Sequence, residues 1–138
     1  MSDDLARILA KLNKFGVETE KAIDDTVRII AHRVKNTAIK SIREPTIGTI
    51  YVRKNDVIHV ASKPGDAPNT DSGRLVGSIN VQHQKLSAKA SVGTPLTYGA
   101  ILELEMNRPW LEPALDKHKD NYHKQLEKVV DKQIRELV

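Results

Sequence analysis

Apolar residues in the first forty positions recur at helical spacing. Leu5, Ile8, Leu9, Leu12 and Phe15 follow the i, i+3, i+4, i+7 pattern of one helix face. After Gly16 the stripe resumes at Ile23, Val27, Ile30, Val34 and Ala38. Ser2 or Asp3 can cap the start, and the acidic first turn suits the helix dipole. Pro45 ends the segment, because the residue before a proline avoids helical dihedrals. One unbroken helix here would span about 60 Å. A compact domain of this length is only roughly 35–40 Å across. Gly16 is therefore the expected break, since glycine suits a left-handed C-cap and weakens a helix interior. The spacing predicts a short first helix and a long second one from about Glu18 to Ile42.

The middle of the chain changes period. Ile47 to Arg53 is β-branched and contains Tyr51, and Val57 to Ala61 alternates, with Lys54, Asn55 and Asp56 as the hairpin connection. Residues 62–73 hold Pro64, Gly65, Pro68 and Gly73 among polar residues and read as a loop long enough to carry a task. Strands follow at about Gly77–Gln84 and Ala88–Val92, joined by Lys85, Leu86 and Ser87. Thr94 and Pro95 then open a short helical segment containing Tyr98, Ala100, Ile101 and Leu102. A last helix runs from about Leu111 or Pro113 to Leu137. Its stripe is Leu111, Leu115, His118, Tyr122, Leu126, Val129, Gln133 or Ile134, and Leu137. Terminal helices around antiparallel strands give an α+β fold. The expected architecture is a long N-terminal helix, an antiparallel sheet of about four strands, and a long C-terminal helix on one face.

The 138 residues suit a single domain, 1–138, with 1–16 as a candidate detached N-terminal helix. The absence of cysteine excludes a disulfide framework, thiolate metal sites and a cysteine nucleophile, and favours a reducing compartment at synthesis. Charged residues within Met1–Leu12 exclude a signal-peptide core, and no apolar run suffices to span a membrane. The net charge of +4 is spread thinly, with 9 basic and 7 acidic residues in 1–45, 7 and 5 in 46–110, and 6 and 6 in 111–138. A nucleic-acid binder usually concentrates its basic residues on one face. A basic lumen formed on oligomerisation would escape that test.

Candidate chemistry is sparse. His118 and His123 are five apart and diverge by about 140° on a helix, so the i, i+4 zinc pair is absent. His32, His59 and His83 fall on three other elements. His118, on the apolar stripe, reads as a hydrogen-bonded, partly buried side chain. Asp3 with Asp4, and Asp24 with Asp25, point about 100° apart. Glu103 and Glu105 lie near a turn, where Glu103 reads as a salt bridge or cap before it reads as a general acid or base. No nucleophile elbow or phosphate loop occurs. The expectation is no catalytic site, no cofactor and no metal.

Three stretches form a further pattern: Pro68 with Asp71, Ser72, Gly73, Arg74, Leu75, Ser78 and Ile79; Tyr98, Gly99, Ala100 and Glu103; and Arg108, Pro109, Trp110, Leu111, Pro113, Ala114 and Leu115. In this order, between a long N-terminal helix and a C-terminal one, they resemble the small neck or tail-completion proteins of long-tailed double-stranded DNA phages and prophages. These are the head–tail joining or minor tail proteins. The resemblance runs from about Ala22 to the C-terminus. The sequence departs from that pattern in four places: one extra residue follows Pro68, Gly99 stands where alanine is usual, Leu104 and Glu105 replace an aromatic and a glycine, and Trp110 replaces phenylalanine.

On physical grounds the motif residues read as structural. Asp71 or Ser72 can cap a turn at Gly73 and Arg74 that Leu75 anchors. Tyr98 and Trp110 are expected to supply most of the large buried area, and Leu75, Ile79 and Leu115 to serve in the core. Pro109 and Pro113 set the entry of the last helix.

The resemblance implies a structural virion subunit of the neck or tail, made and assembled in the bacterial cytoplasm. It would form a ring of its own copies, with six as the natural number, and meet other neck and tail-tube proteins. It would touch DNA only non-specifically in the lumen and no membrane. Ring closure needs heterologous patches; the long helix and the 62–73 loop are the candidates, through Arg28, Lys35, Lys63, Asp66 and Asn69. The alternative is a small nucleic-acid-binding or regulatory α+β protein.

Overall fold

The computed structural model describes residues 2–48, 50–52, 58–70 and 73–137. The fold is α+β, with a long helix near each end and two small antiparallel sheets between them. In chain order the elements are α1 (Ser2–Arg43), β1 (Ile50–Val52), β2 (Ile58–Val60), α2 (Arg74–Ser78), β3 (Asn80–Gln84), β4 (Lys89–Gly93), α3 (Thr97–Leu104), α4 (Glu112–Asp116) and α5 (Lys119–Leu137).

Three expectations are corrected. α1 does not break at Gly16; it runs unbroken for 42 residues. An interior glycine costs a helix only about 1 kcal/mol, and here helix continues for many residues on both sides. Among the described residues the strands form two two-stranded sheets, β1 with β2 and β3 with β4, not one sheet of four. Nor is the C-terminal region one helix, because a turn at Lys117 and His118 separates α4 from α5.

Gly77 and Ser78, expected in a strand, close the single-turn helix α2 instead. Gly73 enters it with φ 79°, a left-handed conformation that turns the chain. The Gly77 amide then donates to the Gly73 carbonyl at 3.0 Å. The connection at Lys54, Asn55 and Asp56 lies outside the described residues, as do Asp71 and Ser72.

The chain is organised as two compact units. The first comprises residues 1–30, 83–90 and 119–138. Its buried side chains are Asp24 and Thr26 of α1 and Tyr122 of α5, flanked by half-buried Ile23, Val27, Leu126 and Val129. Gln133, not Ile134, lies on the half-buried side of α5.

The second unit comprises residues 31–82 and 91–118. Its core is Ala31, Val34, Ala38 and Ile42 from α1 with Leu75, Ile79, Leu102, Trp110 and Ala114. The buried α1 positions are three and four apart, as one helix face requires. The β1–β2 hairpin, registered Ile50↔Val60 and Val52↔Ile58, leaves Ile50, Tyr51, Val52 and Ile58 exposed.

Candidate assembly surface and the motif cluster

The three motif stretches converge within the second unit. The Trp110 indole N–H donates to the Gly99 carbonyl at 2.9 Å, and Trp110 is only 2% exposed. Gly99 permits this approach. A Cβ added there would lie 2.5 Å from Thr94 Cγ2, 3.0 Å from Leu75 Cδ1 and 3.3 Å from Trp110 Cζ2. Leu75 from the first stretch, Gly99 from the second and Trp110 from the third thus meet at one point. The tightest limit on a methyl at Gly99 is Thr94 Cγ2, with Leu75 and the indole closing the other sides.

Glu103 fastens the second stretch to the third. Its Oε2 accepts the backbone N–H groups of Trp110 at 2.6 Å and Leu111 at 3.0 Å, and its Oε1 accepts that of Glu112 at 2.9 Å. These donors open α4, where Pro113 sits in the first turn. A carboxylate on several amide donors at a helix start is the side-chain cap that such an end needs. Glu103 is therefore a cap, and its oxygens are committed.

The other motif residues have structural duties as well. Ser78 Oγ reaches the Leu75 carbonyl at 2.7 Å and Thr94 Oγ1 at 2.6 Å. The Arg108 guanidinium donates to the Met106 and Asn107 carbonyls, both at 3.1 Å. Pro68, Leu75 and Ile79 are buried, Pro109 and Leu111 are half-buried, and Pro113 is exposed. Two expectations fail: Tyr98 is 52% exposed and Leu115 46% exposed, so neither belongs to the core. Tyr98 instead lines a surface pocket of about 290 Å³ with Pro68, Arg74, Leu75 and Leu102.

The 62–70 segment is tied down. Asn69 Nδ2 donates to the carbonyls of Thr46 at 2.7 Å and Val60 at 2.9 Å, while its Oδ1 accepts the Thr46 N–H at 3.0 Å. Its amide is thus committed within the unit rather than offered to a neighbour. The Lys63 N–H donates to Thr46 Oγ1 at 3.0 Å and the Gly65 N–H to the Asn107 carbonyl at 2.8 Å. Lys63 and Asp66 project as exposed side chains. On α1, Arg28 is exposed in the first unit and Lys35 half-buried in the second. His118 is half-buried.

Sequence reasoning missed one polar site, in the first unit. Asp24 is 3% exposed. Its Oδ1 accepts His83 Nε2–H and the Ala88 N–H, both at 2.9 Å, and its Oδ2 accepts the Leu86 N–H at 3.0 Å. Leu86 and Ala88 adopt φ values of 60° and 54°, a region costly for residues with a Cβ. The carboxylate under the β3–β4 turn offsets that strain.

Burial pushes the Asp24 carboxyl up, but the hydrogen bond from His83 and those from Leu86 and Ala88 outweigh it. The carboxyl is held below the ordinary carboxylate value. A carboxyl that titrates lower in the folded chain gives stability that is complete above the unfolded value. That stability is lost as pH falls through the folded one. Acidification below about pH 4 should therefore begin to weaken the turn, and passage through the lowered folded value should release it, seen as faster amide exchange at Leu86 and Ala88. Asp24→Asn should lower Tm at neutral pH by roughly 5–10 °C and flatten the acid limb of the Tm–pH curve. An unaltered acid limb would remove Asp24 from this role.

Among the described residues no three His, Asp or Glu side chains group as a metal site, and no helix is long and apolar enough to cross a membrane. No family model, no curated protein and no solved structure matches the chain.

Among the described residues several large apolar side chains are exposed, Leu104 most of all at 80%, and two groups of them lie close together in the chain. Leu5, Ile8, Leu9 and Leu12 on α1, all in the first unit, are between 49% and 56% exposed. In the second unit Ile47, Ile50, Tyr51, Val52 and Ile58 on and beside the β1–β2 hairpin are exposed. Contiguous exposed apolar side chains of this kind mark interaction surfaces.

Proposed function

We propose that this chain is a structural subunit of the neck or tail of a long-tailed double-stranded DNA phage, completing the tail for attachment to the head. The observation that carries the reading is the exposed apolar pair β1–β2, a surface suited to contact with a neighbouring subunit. Two further features agree with it. The motif residues that resemble this family are used to build the fold. The two best-placed carboxylates, Asp24 and Glu103, are committed to backbone donors and are not offered to a substrate.

In this reading, copies assemble in the bacterial cytoplasm into a closed ring, six-fold to match a tail, through heterologous contacts between unlike patches. The diffuse positive charge, multiplied around a ring, would line a lumen through which DNA passes without sequence preference. Other neck and tail-tube proteins are its partners, and the chemistry is assembly, not catalysis. Mass spectrometry of purified virions should find the chain in the tailed particle. Negative-stain images of particles lacking it should show tails without heads. Its absence from virions would overturn the proposal.

A further inference from the structure

We infer that the first turns of α1 form an antiparallel helix pair with the same segment of a second copy of this chain. Every residue from Asp3 to Lys14, a stretch of about 18 Å, is exposed; its last turn, at Lys11 and Lys14, lies beside Gln133, Glu136 and Leu137 at the end of α5. It nevertheless carries a stripe of four large apolar residues. At 100° per residue, Leu5, Ile8, Leu9 and Leu12 fall within an arc of about 100°. A helix with such a face buries it against a partner.

The spacing of the stripe says which partner. The pattern i, i+3, i+4, i+7 is symmetric about its own midpoint. A two-fold axis there sets Leu5 against Leu12 of the other copy and Ile8 against Leu9, so one surface covers itself, as an isologous contact requires.

The charges choose the direction. Asp4 and Lys11 border one edge of the stripe, and small or neutral Ala6 and Asn13 border the other. Antiparallel pairing brings like edges together, so Asp4 of each copy lies across from Lys11 of its mate, twice per dimer. A parallel pair would set Asp4 beside Leu9 and Lys11 beside Gly16, with no charge match. Asp3, Arg7 and Lys14 point away from the stripe and stay solvated. Lys14 already lies 3.8 Å from Glu18 on its own helix.

Two such segments bury less than the roughly 1,200–2,000 Å² of a standard interface. The pair should therefore be weak, with a Kd on the order of micromolar. The inference concerns the free chain and does not depend on the neck reading. Absence from virions would sink that reading and leave the pair untouched.

The test uses the full chain. Sedimentation velocity of wild type across roughly 1–300 µM should show a monomer becoming a dimer. Ile8→Glu with Leu9→Glu should abolish the dimer and, at concentrations where the wild type is monomeric, leave Tm unchanged, because both side chains are exposed. Asp4→Lys alone and Lys11→Asp alone should each weaken association several-fold, and the two together should restore it. The chain has no native thiol, so engineered cysteines report the direction. On oxidation, a mixture of Leu5→Cys and Leu12→Cys chains should give a mixed disulfide, and Leu5→Cys alone should give none. A wild-type monomer at every concentration, a Leu5→Cys homodimer, or a charge swap that fails to restore pairing would each overturn the inference.

Discussion

Trp110→Ala is expected to lower the unfolding free energy by about 3–5 kcal/mol. The side chain is buried where the three motif stretches meet. Its removal leaves a cavity among Leu75, Thr94 and Gly99, and strips the Gly99 carbonyl of its indole donor. Both losses act in the same direction, since an orphaned buried acceptor carries its own desolvation penalty. The midpoint of urea unfolding should fall with an unchanged slope. The reverse perturbation tests the same fit. Gly99→Ala should cost about 1–3 kcal/mol by overpacking, and Thr94→Ser in that background should recover part of the loss by removing the methyl that would lie 2.5 Å from the added Cβ. A shift below about 1 kcal/mol for Trp110→Ala would show that the indole is not the centre of this core.

Glu103→Ala should cost about 2–4 kcal/mol. Three consecutive backbone donors at the start of α4 would lose their acceptor at once. Glu103→Gln keeps the shape and one good acceptor but loses the charge and puts an N–H₂ against a backbone donor. It should fall about midway, near 1–2 kcal/mol. Amide exchange should accelerate at Trp110, Leu111 and Glu112 in both variants before global stability changes elsewhere. A Glu103→Ala protein as stable as wild type would mean that water replaces the cap fully. A catalytic Glu103 would show the opposite pattern, with activity lost and stability gained.

Much of this arrangement was legible in the residues. The helical stripes of α1 and α5, both hairpins and the cap role of Glu103 follow from periodicity and from the chemistry of helix ends. The unbroken passage through Gly16 was not legible. A glycine's local preference is worth about 1 kcal/mol, which the flanking helix overrides. The exposure of Tyr98 and Leu115 has a related cause: which way an apolar residue on a short helix faces is fixed by neighbours distant in the chain. In the sequence Asp24 is one of two divergent carboxylates. Its task depends on amides 62 and 64 residues away, a separation at which no local pattern carries information.

The sequence by itself determined the two long helices and the extended pairs between them, because those choices rest on side-chain periodicity within a few residues; the single turn at α2 and the passage through Gly16 it did not determine. Only the tertiary structure decided which strands pair, which carboxylates lie beneath which amides, and which apolar stripes remain uncovered. Each of these depends on groups distant in the chain, whose approach is set by packing and hydrogen-bond satisfaction across the whole unit. The repeating hydrophobic pattern at Leu5 to Leu12 predicts a helix; that its apolar stripe stays exposed is decided by the fold.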